Sequence, residues 1–146
     1  MTINEGISVL VTMNTDISDG NNKETVRFTT DGRLFKKNNN VYLQFKEDNK
    51  ETGEVNQIVK MEDNDTVTVL RQGAVSMKQL FIVDEKTEGV YRSPFGTMLM
   101  NTSTKDIHIE INEQEAVGKV QLSYQLHMQH EFAGNYNVTI NFRRNQ

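Results

Sequence analysis

The feature that most constrains this chain is an alternation of apolar and polar residues with a period of two, renewed about ten times along its length. Ile7, Val9, Val11 and Met13 alternate with Ser8, Leu10, Thr12 and Asn14. Val26 and Phe28 alternate with Arg27 and Thr29. The pattern returns at Val41–Phe45, Val55–Met61, Val67–Val69, Val75–Val83, Met98–Met100 and Ile107–Ile111. It is clearest at Val120, Leu122, Tyr124, Leu126 and Met128, and it closes the chain at Tyr136, Val138, Ile140 and Phe142. Side chains two apart share one face of a strand, so each run makes a strand with one apolar and one polar face.

Short clusters of Asn, Asp, Gly, Glu and Lys separate the runs, such as Asn38-Asn39-Asn40. Gly and Asn tolerate positive φ, and Asn and Asp hydrogen-bond their own backbone, so these clusters are tight turns. Consecutive strands joined by tight turns pair antiparallel. Closing such a sheet on itself buries every apolar face and removes the exposed edges. The expected architecture is therefore all-β: an antiparallel up-and-down calycin-like β-barrel of about 8–10 strands. A sandwich fits the alternation as well. The 146 residues make one domain, 1–146, and no linker divides them. A chain of this size buries roughly 70% of its unfolded surface, enough for a core of its own. One hairpin can be placed in register. With Gln72-Gly73-Ala74 as its loop, Arg71 faces Val75, Val69 faces Met77 and Val67 faces Gln79, and the apolar residues share a face.

If the apolar faces point inward, polar residues in the same phase are the places to look for function. Thr30 continues Val26 and Phe28. Gln57 lies between Val55 and Val59, and Gln79 between Met77 and Phe81. Arg71 continues Val67 and Val69, Thr102 continues Met98 and Met100, and Tyr124 lies within the strongest strand. An unpartnered buried amide or hydroxyl costs about 1–3 kcal/mol, so each needs a partner, a water or a ligand. Arg71 is the sharpest case, because a guanidinium cannot shed its proton and needs an anion. That anion could be a ligand carboxylate or phosphate, or an internal carboxylate. The side chain could also snorkel to the mouth beside its turn. Tyr91 precedes "SPFG", where Pro94 interrupts the ladder and obscures the phase. Of the seven methionines, Met61, Met77, Met98, Met100 and Met128 fall in apolar phases, as Met13 does in the first run. Methionine adapts to irregular shapes, so they could line a pliable cavity or simply fill the barrel.

Several chemistries find no support. Net charge is −4 and the most basic spots, Lys36-Lys37 and Arg143-Arg144, are two residues each, so no nucleic-acid surface is expected. Without Cys there is no disulfide, thiolate metal site or cysteine nucleophile. The run Ile7–Val11 is short for a signal core, and no run approaches the about 20 residues of a membrane helix. A cytoplasmic protein with no membrane partner is expected. No G-x-S-x-G, P-loop or G-x-G-x-x-G occurs. Asp106, His108 and Glu110 share one face of "STKDIHIEI" and, unaided by another strand, make a solvated face better than a metal or acid–base site. No metal and no cofactor is expected.

The segments "LRQGAVSMKQLF" (Leu70–Phe81), "YRSPFGTMLMNTSTKDI" (Tyr91–Ile107) and "GKVQLSYQLHM" (Gly118–Met128) resemble the YwiB-like family, small uncharacterised proteins of Gram-positive bacteria that carry a domain of unknown function. The match is most specific at Arg71 and Gly73, at Tyr91 to Gly96 and at Thr102. The resemblance implies a calycin-like barrel, similar to lipocalins and streptavidin-like proteins, and carries over no catalytic residue. A shared fold does not license a function. Three readings follow. The first is a non-enzymatic barrel holding a small, partly apolar, anionic ligand against Arg71, with Gln57, Met77, Gln79, Tyr91, Met98, Met100, Thr102, Tyr124 and Thr30 as further contacts. The second is a filled barrel that meets a protein partner, or a second copy in a homodimer, through its outer face. The third is an enzyme acting on a small acid, with Tyr91 or Tyr124 as proton donor.

Overall fold

A computed structural model describes residues 4–49, 53–63 and 65–145. Ten strands run up and down in chain order: β1 Ile7–Asp19, β2 Asn22–Lys37, β3 Asn40–Asn49, β4 Gly53–Asp63, β5 Thr66–Gly73, β6 Ser76–Ile82, β7 Lys86–Ser93, β8 Gly96–Asn112, β9 Val117–Met128 and β10 Glu131–Arg144. Each pairs antiparallel with its chain neighbours, and β1 pairs with β10 to close the barrel. The turn chemistry acts as its residues dictate. Asn38 and Asn39 both take positive φ, which suits the two-residue turn that lets Lys37 face Asn40.

The closed antiparallel barrel and its inward alternation agree with the sequence, but the assignment of runs to strands differs in two places that cancel in the count. Met98–Met100 and Ile107–Ile111 belong to one long strand, β8. A bulge between Thr104 and Asp106 resets its phase, so Met98, Met100, Thr102 and Thr104 point inward and Ile107 does so again after it. The strand absent from the sequence reading is β7, whose inward positions are Thr87, Gly89 and Tyr91. Glycine offers nothing to bury there, so the alternation is silent. The β5–β6 register also differs: Arg71 faces Met77, Val69 faces Gln79 and Val67 faces Phe81. The reason lies on the other side of β5. Gly73 still pairs with Val55, and Ala74 donates to the Glu54 carbonyl at 3.1 Å, so the chain turns later than a three-residue loop would have it. Gly73 is at φ 135°, and a Cβ there would lie 2.5 Å from the Glu54 carbonyl oxygen. A shift of two residues keeps each side chain on its face, so the inward set is unaffected.

The barrel has two unlike halves. At the end that carries the β2–β3, β4–β5 and β8–β9 turns, the interior is packed with fully buried side chains, among them Val9, Leu34, Leu43, Val59, Val67, Phe81 and Val120. Toward the opposite end, where β1 passes to β2 and β5 to β6, the inward side chains stand around open space.

Candidate functional site

That space is a cavity of about 440 Å³ that reaches the barrel mouth. Methionine supplies much of its wall, through Met13, Met77, Met98, Met100 and Met128, while Met61 lies in the packed half. Aliphatic side chains of β9 and β10 complete the apolar part, including Leu122, Leu126 and Val138. Eight of the ten sequence candidates line it: Gln57, Arg71, Met77, Gln79, Tyr91, Met98, Met100 and Tyr124. Tyr91, whose phase was obscured by Pro94, faces Met77 on one side and Met98 on the other, and so points inward.

The other two candidates do not reach the cavity. Thr30 holds the inward phase opposite Val11, but it sits below the layer formed by Met13 and Phe28 and stays off the wall. Thr102 is buried behind Gln79 and accepts a hydrogen bond from Gln79 Nε2 at 2.9 Å. It therefore fixes the amide and leaves Gln79 as the group presented to the cavity.

The polar part of the wall is built on β3, β4 and β5. Arg71 donates from Nη2 to Glu47 Oε2 at 2.9 Å, and Gln57 donates from Nε2 to the same oxygen at 2.6 Å. Both charged side chains are about four-fifths buried, at 18% and 20% exposure. The anion that Arg71 requires is thus an internal carboxylate. Glu47 is the residue that sequence reasoning missed. It continues the inward phase of Val41, Leu43 and Phe45 by one more step, and that phase was the available signal. The ion pair leaves Arg71 unfinished: its Nε is buried and has no hydrogen-bond partner. A buried guanidinium N–H without an acceptor is a costly group.

Three tyrosines add hydroxyls. Tyr124 stacks on Tyr136 with ring centres 5.2 Å apart and packs against Phe81 at 4.8 Å. Burial pushes the Tyr124 hydroxyl well above the usual tyrosine range, and the neighbouring Tyr136 adds to the shift against the lowering pull of Arg71 and Gln79. Burial also raises Tyr136, helped by Glu24 and Tyr91. The hydroxyls of Tyr124 and Tyr136 keep their protons at neutral pH and can donate hydrogen bonds. For the proton-donor role considered for Tyr124, the shift is in the unhelpful direction.

The histidines gather into no centre. His108 Nε2 lies 3.1 Å from Glu110 Oε1 on the solvated face of β8, and both side chains are at least half exposed. His127 belongs six residues further along β9 than Gln121, the partner of His108, and packs edge-on against Phe132 at 5.5 Å. Among the described residues, no group of three His, Asp or Glu side chains could hold a metal ion.

Residues 11–140 match the family described as domain of unknown function DUF1934. The chain belongs to that family. Over 126 residues, covering 86% of each chain, it is 35% identical to the "Uncharacterized beta-barrel protein YwiB" of Bacillus subtilis (strain 168). The crystal structure of ywiB protein from Bacillus subtilis superimposes with a TM-score of 0.86 at 30% sequence identity, covering 97% of this chain and 94% of that one. The DUF1934 membership and this likeness fix the barrel and its closure. YwiB is described as uncharacterised, so the comparison supplies an architecture, and the reading of function rests on the cavity.

Proposed function

We propose that this DUF1934 barrel is a binding module for a small, partly apolar molecule with an acidic or strongly accepting group. The apolar body would lie among the methionines, and the polar group would meet Arg71. The observation that carries this reading is the Arg71 guanidinium, with its Nε–H buried and unmatched, beside a largely apolar cavity of about 440 Å³. That volume falls within the about 300–1,000 Å³ common for small-molecule sites. The half-hollow interior weighs against a barrel that is filled throughout. Met side chains suit a ligand whose shape the walls must follow. Glu47 already holds Nη2, so an acidic ligand would share the guanidinium with a resident carboxylate. Affinity for an anion is then limited by like-charge repulsion from Glu47, and opposite effects follow from the two partners.

The test is displacement of 1-anilinonaphthalene-8-sulfonate by octanoate at neutral pH. Arg71→Met should weaken octanoate binding about tenfold to a hundredfold, as expected for a lost charge-assisted hydrogen bond. Glu47→Gln should tighten it, because the competing charge is gone. If the wild-type barrel takes up neither molecule, or if both variants bind octanoate as the wild type does, this reading is wrong.

A further inference from the structure

A second apolar region lies outside the barrel. On the outward face of β2 to β6, Phe35, Tyr42, Ile58, Leu70, Leu80 and Ile82 line a shallow concavity of about 720 Å³. Outward positions of a barrel strand meet water, and the polar halves of β1 and β9 follow that rule with Thr12, Asn14, Gln121 and Gln125. Here the outward phase carries half-buried apolar residues on five neighbouring strands, interleaved with threonines and charged residues. Phe35 and Tyr42 stack in parallel with ring centres 5.0 Å apart, and the Arg33 guanidinium lies 5.2 Å from the Phe35 ring centre. Among the described residues, no element packs over this face.

The charges of the concavity differ from those of the chain. Its charged lining is Lys37, Lys60, Lys78 and Glu62, three cations and one anion, on a chain of net charge −4. Glu62 is held by Lys60 at 3.1 Å. Among the described residues, no acidic side chain lies within salt-bridge distance of Lys37 or Lys78. Exposed apolar patches with a polar rim mark interaction sites, and the sign of the rim selects the partner. A two-fold contact with a second copy would set these lysines against themselves, so like charge disfavours that occupant. Flat stacking of nucleobases is disfavoured too, because Phe35 and Tyr42 turn their ring faces to each other.

We infer that the outer face of β2–β6 is a docking surface for an acidic polypeptide segment that carries aliphatic or aromatic side chains. Its apolar side chains would cover Ile58, Leu70 and Leu80, and its carboxylates would meet Lys37 and Lys78. This site is distinct from the internal cavity and independent of any ligand there. The test is a backbone-amide NMR titration of the full chain with the peptide acetyl-Glu-Leu-Glu-Phe-Glu-Leu-amide and its Lys-for-Glu counterpart. The acidic peptide should shift amides of β3 to β6 around the concavity, and the basic one should leave them in place. Lys37→Glu/Lys78→Glu should weaken the acidic peptide at least about tenfold, with amides of β8–β10 as a check on the fold. Four results would each overturn the inference: no shift with the acidic peptide, equal shifts with both peptides, larger shifts of the same amides by a mixed-sequence single-stranded oligonucleotide, or concentration-dependent dimers in sedimentation that Leu70→Asp abolishes.

Discussion

The Arg71–Glu47 pair gives a prediction whose size follows from its surroundings. At 2.9 Å and an effective dielectric near 20, the attraction between unit charges is about 6 kcal/mol before desolvation is subtracted. Desolvation of two largely buried ions removes most of that, so the pair as a whole contributes little net stability. Removing one partner is different, because the other stays buried and unmatched. Exposed pairs lose about 0.2–1 kcal/mol on such a change, and fully buried ones about 3–5. With about a fifth of each side chain exposed, Arg71→Met should cost about 2–3 kcal/mol, since Glu47 keeps only Gln57 as donor. Glu47→Gln should cost about 1–2 kcal/mol, because the new amide oxygen can still accept from Arg71 or Gln57. The double variant buries no charge at all, so it should cost no more than about 2 kcal/mol. Urea denaturation of the four proteins, analysed as a double-mutant cycle, should then give a coupling of about 2 kcal/mol. In thermal melts Arg71→Met should lower Tm by about 5–10 °C, and adding Glu47→Gln should restore part of it. Additive effects, with coupling below about 0.5 kcal/mol, would refute the geometry and the reasoning built on it.

Other expected outcomes follow from the two halves of the barrel. Leu43→Ala empties a site in the packed end and should cost about 3 kcal/mol, whereas Leu126→Ala, at the cavity wall, should cost less; equal losses in denaturation would argue against a half-hollow interior. Leu126→Trp narrows the cavity and should weaken octanoate binding while keeping the fold by circular dichroism, and unchanged binding would place the ligand elsewhere. The alkaline limit of stability should depend on Tyr124. Its folded pKa is raised, so the folded state holds the proton more tightly than the unfolded chain does. Its contribution is complete below the unfolded value near 10 and is lost as pH rises beyond it. Tyr124→Phe should therefore flatten the fall of stability above that pH, and an unchanged alkaline profile would contradict the burial of this hydroxyl.

What the sequence made legible follows the physics of alternation. β9 is read without error because every second residue from Val120 to Met128 is large and faces the interior. β7 is invisible by the same rule, since its inward row holds Thr87 and Gly89, while Val90, its aliphatic residue, faces outward. The bulge in β8 adds one residue, and no composition signal marks it. The hairpin register around Gly73 is set by β4, a partner that the hairpin's own pattern does not contain. Of the polar residues in the inward phase, Gln57, Arg71, Gln79 and Tyr124 do line the cavity. Glu47 escaped because "KEDNKETG" reads as a turn, although the strand carries on to it. Thr30 was inward as expected, yet phase alone gives the face of a residue and says nothing of its height in the barrel. The hollow itself depends on how side chains of ten strands fit together, which no single strand reveals.

The claim most in need of a direct test is that the mouth half of the barrel receives an amphipathic molecule. The methionines report on it by position. With methyl-13C methionine, octanoate should shift Met13, Met77, Met98, Met100 and Met128 in a saturable way and leave Met61, in the packed half, where it was. The same titration of Arg71→Met should need more octanoate to reach the same shifts. Cavity methyl signals that stay fixed, or move together with Met61, would contradict the account.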